Sequence, residues 1–88
     1  MPVLSLFFGI VIRMYSEHGG QHHKPHIHAE YQGEEVVIGL DGEVLSGQIK
    51  ADKLRMVQVW MDIHKEDLEA NWKLLASGEQ HFRIDPLR

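Results

Sequence analysis

Pro25-His26-Ile27-His28-Ala29-Glu30-Tyr31, running on through Gln32-Gly33 into Glu34-Glu35-Val36-Val37-Ile38-Gly39-Leu40, carries the period that decides the fold. From His26 to Tyr31 polar and apolar residues alternate. Successive side chains of a strand point to opposite faces, so this is the pattern of a half-buried strand. His26, His28 and Glu30 then share one face, and Ile27, Ala29 and Tyr31 the other. Pro25 suits the first position of a strand, where a missing N–H does no harm. It also pushes Lys24 toward an extended conformation.

Gln32-Gly33 reads as a turn into a strand over Glu34–Leu40. Asp41-Gly42 is a hairpin signal, because type I′ turns need positive φ at both central positions. Glu43–Ile49 is the return strand. With two-residue loops, Ile27 faces Ile38, Ala29 faces Val36, His28 faces Val37, and His26 faces Gly39. Ile38 then faces Leu45, and Val36 faces Gly47. Ile27, Ala29, Val36, Ile38, Leu40, Leu45 and Ile49 form an apolar face. His26, His28, Glu30, Glu35, Val37, Val44, Ser46 and Gln48 form the opposite one. A one-residue slip would exchange the two faces.

Upstream, Leu6–Tyr15 reads as one strand. Phe8, Ile10, Ile12 and Met14 form its apolar side, and Phe7, Gly9, Val11, Arg13 and Tyr15 its mixed side. Ser16–Lys24, with Gly19-Gly20 at its centre, has the composition of a loop. Downstream, Lys50–Ser77 is helical, with Asp52 as N-cap and Gly78 as C′ residue. Leu54, Val57, Met61, His64, Leu68, Trp72 and Leu75 recur every three or four residues as one stripe. Such a helix would run about 40 Å, against about 23 Å for a seven-residue strand. It must overhang the sheet, bend, or break near His64-Lys65. Gln80–Leu87 is a tail with a short extended segment at His81–Ile84. The expected fold is α+β: a single domain over 1–88, with a four-stranded, mainly antiparallel β-meander and one long C-terminal helix packed on one face.

Composition narrows the function classes. The apolar fraction of 43% is ordinary for a globular chain. There is no cysteine, so neither a disulfide framework nor thiolate chemistry is available. The longest apolar run, Val3–Ile12, lacks a basic flank and is too short to span a bilayer. A cytoplasmic protein is expected. The net charge of −4 with histidines neutral argues against nonspecific nucleic-acid binding. Protonating all seven histidines would reverse that sign.

The chemistry-bearing residues gather at one place. His22, His23, His26 and His28 fall within seven positions. If the apolar side of the first strand faces the helix, Arg13 and Tyr15 join His26 and His28 on a face left open or covered by a partner. Two histidines at i and i+2 can converge on one divalent metal such as zinc, with His22, His23 or Glu30 completing the set. The same imidazoles beside Arg13 and Tyr15 could serve as base and acid for phosphodiester hydrolysis, the arginine stabilising developing charge. The plainer reading is a hydrogen-bonded histidine face with neither metal nor turnover. His64, on the apolar stripe, reads as a buried histidine with one partner, and His18 and His81 as solvent-facing. Trp60 and Trp72 read as core or interface anchors. No phosphate loop, nucleophile elbow or nucleotide fingerprint occurs.

Phe8-Gly9-Ile10-Val11-Ile12-Arg13-Met14-Tyr15, followed by Pro25-His26-Ile27-His28-Ala29-Glu30-Tyr31, resembles the bacterial family called domain of unknown function 4160. Trp60, His64, Leu68 and Asn71-Trp72 on the helix extend the resemblance, as does the closing Ile84-Asp85-Pro86-Leu87. It covers nearly the whole chain, and the Pro-His-x-His-Ala-Glu-Tyr segment is its most specific part. The family carries no established activity. Its members are small prokaryotic proteins often found beside another small protein, which implies a toxin–antitoxin-like pair. The segment before Pro-His-x-His is Asn- or Asp-rich in the family, whereas here it is Gly19-Gly20-Gln21-His22-His23-Lys24.

These residues support three functions. The first is a binding or regulatory component of such a pair, acting through the His26, His28, Arg13 and Tyr15 face, with a homodimer or a small protein as partner. The second is a small hydrolase of ribonuclease type, metal-assisted or not. The third is a metal-binding protein without turnover.

Overall fold

A computed structural model describes residues 3–15 and 24–88. His18, Gly19, Gly20, His22 and His23, and most of the Ser16–Lys24 loop, lie outside the described residues. Seven elements follow one another: β1 (Val3–Phe7), β2 (Ile10–Arg13), β3 (His26–Tyr31), β4 (Glu34–Gly39), β5 (Val44–Gly47), α1 (Ala51–Ile63) and α2 (Lys65–Ala76). The strands form an antiparallel sheet in the order β1-β2-β3-β4-β5. The α+β class and the meander stand. The sheet has five strands rather than four, and the single long helix is two.

The fifth strand comes from the N-terminal segment. The stretch read as one strand over Leu6–Tyr15 falls in a hairpin of Val3–Phe7 and Ile10–Arg13 that turns at Phe8 and Gly9, with φ of 49° and 79°. Two consecutive positive φ values make a turn whose twist suits an antiparallel pair. A phenylalanine is a poor residue for the first of them, and its apolar character reads as strand. Phe8 therefore does not join Ile10, Ile12 and Met14 in the core; it is exposed at the tip.

Between β3 and β4 the register is as the alternation requires: Ile27 faces Ile38, Ala29 faces Val36, His28 faces Val37, and His26 faces Gly39. The next hairpin differs. The Gly39 N–H donates to the Glu43 carbonyl and the Gly42 N–H to that of Gly39, so the loop is Leu40-Asp41-Gly42. A three-residue loop with glycine in the left-handed position is the next commonest hairpin after the two-residue forms, and Gly42 has φ 92°. A bulge then sets Ile38 opposite Val44 and leaves Leu45 as the extra residue, before Val36 meets Gly47 as expected. Leu45 accordingly falls outside the buried core, while Ile27, Ala29, Val36, Ile38 and Ile49 lie inside it.

The helices cover that apolar face. Val57, Trp60 and Met61 of α1 and Leu68 of α2 join the same cluster, along with Leu4, Phe7, Ile10, Ile12 and Met14. Trp60 is fully buried against Phe7, ring centroids 5.4 Å apart. The helix starts at Ala51 with Lys50 as N-cap, not at an Asp52 cap. It breaks at His64, whose φ of −107° closes α1 and opens α2. The length mismatch between a straight helix and the short strands is relieved there. The His64 ring lies over Trp60 at 5.6 Å, and its Nδ1 is 3.8 Å from Asp67.

At the far end, Gly78 at φ 76° donates to the Leu75 carbonyl and Glu79 to that of Leu74. This is the paired bonding of a Schellman terminus, with glycine at C′ as the sequence predicts. The tail forms no regular strand. It is held at three points: Phe82 N–H to Asn71 Oδ1, Ile84 N–H to the Leu4 carbonyl, and Trp60 Nε1–H to the Asp85 carbonyl. His81 is half-buried, not solvent-facing.

Candidate functional site

The face of the sheet turned away from the helices is built from two cross-strand rows. One runs Leu6, Val11, Glu30, Glu35, and the other Arg13, His28, Val37, Ser46. Strand register alone thus brings Arg13 beside His28. Side chains two positions apart on β3 share this face, which adds His26, and Tyr15 follows Arg13 by two.

These groups engage one another. Arg13 pairs with Glu30 across the two strands. Tyr15 stacks on His28, with centroids 4.5 Å apart and planes 18° from parallel. The His28 Nδ1 lies 3.3 Å from Glu35 Oε1 and 3.4 Å from the Tyr15 hydroxyl. His26 turns its Nδ1–H toward the Lys24 carbonyl at 2.7 Å, and its ring meets that of His28 edge-on at 5.2 Å. On its other side His26 meets Trp72 of α2 at 5.3 Å. Trp72, His26, His28 and Tyr15 therefore form one unbroken row of rings from the helix layer to the second sheet face.

The expectation is a histidine face left open or covered by a partner; its two histidines are instead covered from within the chain. His26 is fully buried and His28 is 6% exposed. An i, i+2 pair on a strand would sit in solvent if the helices covered only the apolar face. Trp72 covers His26 and Tyr15 covers His28. The helix stripe puts Trp72 over the apolar sheet, and nothing local in the sequence ties it to His26. Strand alternation puts Glu35 on the correct face, but its pairing with His28 needs the strand register.

The expected metal set is divided. His22 and His23 lie outside the described residues, and Glu30 is taken by Arg13. Among the described residues no three histidine, aspartate or glutamate side chains gather as metal ligands. An acid–base role has one geometric support. A carboxylate at Nδ1, here Glu35, orients an imidazole so that its other nitrogen can exchange a proton. The Nε2 atoms of both His26 and His28 are buried, however.

A charged clamp closes the end of the site. Lys24 Nζ reaches Asp41 at 2.7 Å and Glu43 at 2.8 Å, and the Pro25 carbonyl accepts the Leu40 N–H. The hydrogen bond to Asp41, aided by the one to Glu43, holds the Lys24 amine above its ordinary value. The same bond from Lys24 holds the Asp41 carboxyl below the usual carboxylate range. Lys24, Pro25, Leu40, Asp41, Trp72 and Lys73 line an open, largely apolar cleft there. Among the described residues no helix is long and apolar enough to cross a membrane.

No curated protein and no solved structure gives a significant match to the chain. A family model does: it spans residues 9–73, from the turn at Gly9 through both histidines of β3 to Trp72 in α2. That span takes in the whole ring row and leaves out β1 and the tail. The chain belongs to the family described as Domain of unknown function (DUF4160).

Proposed function

We propose that the chain is a binding component, the regulatory half of a toxin–antitoxin-like pair, and that it takes its partner protein on the sheet face carrying Arg13, Tyr15, His28 and Glu30. The observation that carries this reading is the burial of both imidazoles among rings. Tyr15 and Trp72 cap the row, and both Nε2 atoms are buried. Groups so placed fix the shape of a surface better than they turn over a substrate. Leu6 stands 52% exposed at the edge of the same face, beside Val11, and Phe8 is 55% exposed at the adjoining hairpin tip. Apolar side chains rimmed by Arg13, Glu30 and Glu35 are the composition of a protein contact.

Hydrolysis is the second reading, favoured by the Glu35–His28 contact. One experiment separates the two. The chain is co-expressed with a candidate small partner protein, as wild type and as Tyr15→Ala/His28→Ala, and each is also incubated alone with a fluorescent RNA. A binding component gives a stoichiometric complex that the double variant loses, and no cleavage by either form. Cleavage by the wild type that the double variant lacks, without a complex, would establish the hydrolase instead.

A further inference from the structure

Helix α1 buries Val57, Trp60 and Met61. Its outer side carries Arg55, Val59 and Ile63, each one turn from the next, with Gln58 and Asp62 alongside. Val59 is 53% exposed, and Ile63, at 63%, is the most exposed of the large apolar residues described. The five residues line one shallow surface hollow. Among the described residues neither Arg55 nor Asp62 enters an ion pair. This surface belongs to a different element from the Arg13–Tyr15–His28–Glu30 face, and a contact made here is independent of that face.

We infer that this stripe docks antiparallel on the same stripe of a second copy of the chain, about a twofold axis close to Val59. Arg55 precedes Val59 by four positions and Asp62 follows it by three. Reversing one helix against the other therefore sets Arg55 of each copy opposite Asp62 of the other. A twofold contact makes every such interaction twice. Val59 packs on Val59 at the axis, and Ile63 covers the aliphatic stem of the opposing Arg55. An acidic partner would answer only Arg55, and a basic one only Asp62, whereas a second copy answers both. A single helix stripe lies at the small end of protein interfaces, so the dimer dissociates on dilution.

Sedimentation velocity over a range of concentrations, with the intact chain, tests this through charge reversal. Wild type should pass from monomer to dimer as concentration rises. Arg55→Asp alone and Asp62→Arg alone each place like charges opposite one another twice, and each should raise the dissociation constant at least about tenfold. Arg55→Asp/Asp62→Arg restores opposite signs and should return it near the wild-type value. Val59→Lys, at the axis, should abolish association. All three positions are on the outer helix surface, and an unchanged circular dichroism spectrum confirms that the fold is kept. A wild type that stays monomeric at the highest concentration would overturn the inference. So would single reversals without effect, or a double reversal that fails to restore the dimer.

Discussion

Tyr15 lies flat on His28, ring centroids 4.5 Å apart, at the point where β2 runs out beyond the sheet pairing. The contact joins a residue past the end of one strand to the middle of the next. It is one end of the row that continues through His26 to Trp72. Burying two imidazoles is eased because the Nδ1 of each meets polar groups, the Lys24 carbonyl at His26 and Glu35 with Tyr15 at His28. Stacked aromatic pairs add about 0.5–1.5 kcal/mol beyond area burial. Tyr15→Phe keeps the stack and should leave thermal stability close to wild type. Tyr15→Ala removes both stack and cover and should lower stability by about 1–3 kcal/mol in chemical denaturation. Equal effects from the two would show that the hydroxyl, not the ring, makes the contact matter.

Gly47 sits opposite Val36 in the β4–β5 pairing, against the Glu35 backbone. It has φ 74°, and a Cβ there would collide with the Glu35 carbonyl oxygen. Backbone cannot yield as a side chain can. Gly47→Ala should cost about 2–4 kcal/mol, combining left-handed strain with the clash. Gly33→Ala, with open space at its Cβ, should cost only about 1–2 kcal/mol, because strain alone remains. Paired urea melts compare the two, and similar losses would contradict the clash at Gly47.

The meander is legible in the sequence where local rules act alone. Alternation from His26 to Tyr31 and the two-residue Gln32-Gly33 turn lead to four correct cross-strand pairs, whereas strand-length arithmetic leaves a break near His64-Lys65 as only one of three alternatives, and the expected single long helix is two. What escapes local reading depends on atoms distant along the chain. Phe8 in a left-handed turn contradicts local preference, so the first hairpin reads as one strand. The bulge at Leu45 comes from a loop one residue longer than Asp41-Gly42 suggests. Trp72 over His26 is a tertiary contact with no local signature. The two histidines that read as exposed in the alternation are for that reason buried.

Asn71 offers a test of the tail. It is fully buried, its Oδ1 accepts the Phe82 N–H at 2.8 Å, and its Nδ2 donates to the Asp67 carbonyl. Asn71→Ala strands a backbone donor and should cost about 1–3 kcal/mol. Hydrogen exchange should show the Phe82 and Ile84 amides opening faster, with β3 and β4 amides losing protection only as far as global stability falls. Unchanged exchange at Phe82 would mean that the bond contributes nothing.

The clamp at Lys24 makes a pH prediction with two signs. Asp41 titrates below its ordinary value when folded, so its contribution is present above the unfolded carboxylate range and fades as pH falls through the lowered folded value. Lys24 titrates above its ordinary value, so its contribution is complete below the unfolded amine range and fades as pH rises through the raised folded value. Both groups are solvent-exposed, so the effect is small and screened by salt. Thermal melts of wild type and Lys24→Met from about pH 3 to 11 should differ most around neutrality and converge at both ends. A difference independent of pH would show that Lys24 acts through its aliphatic stem.

The central claim is that the Arg13–Tyr15–His28–Glu30 face binds a partner protein. The most direct measurement is a titration of the ¹⁵N-labelled chain with an unlabelled candidate partner protein that co-purifies with it, followed by amide and histidine side-chain spectra. Saturable shifts are expected at Arg13, Tyr15, His28, Glu30 and Val37, with Val59 and Ile63 on α1 unmoved. Shifts confined to other surfaces, or none at stoichiometric partner, would contradict the claim.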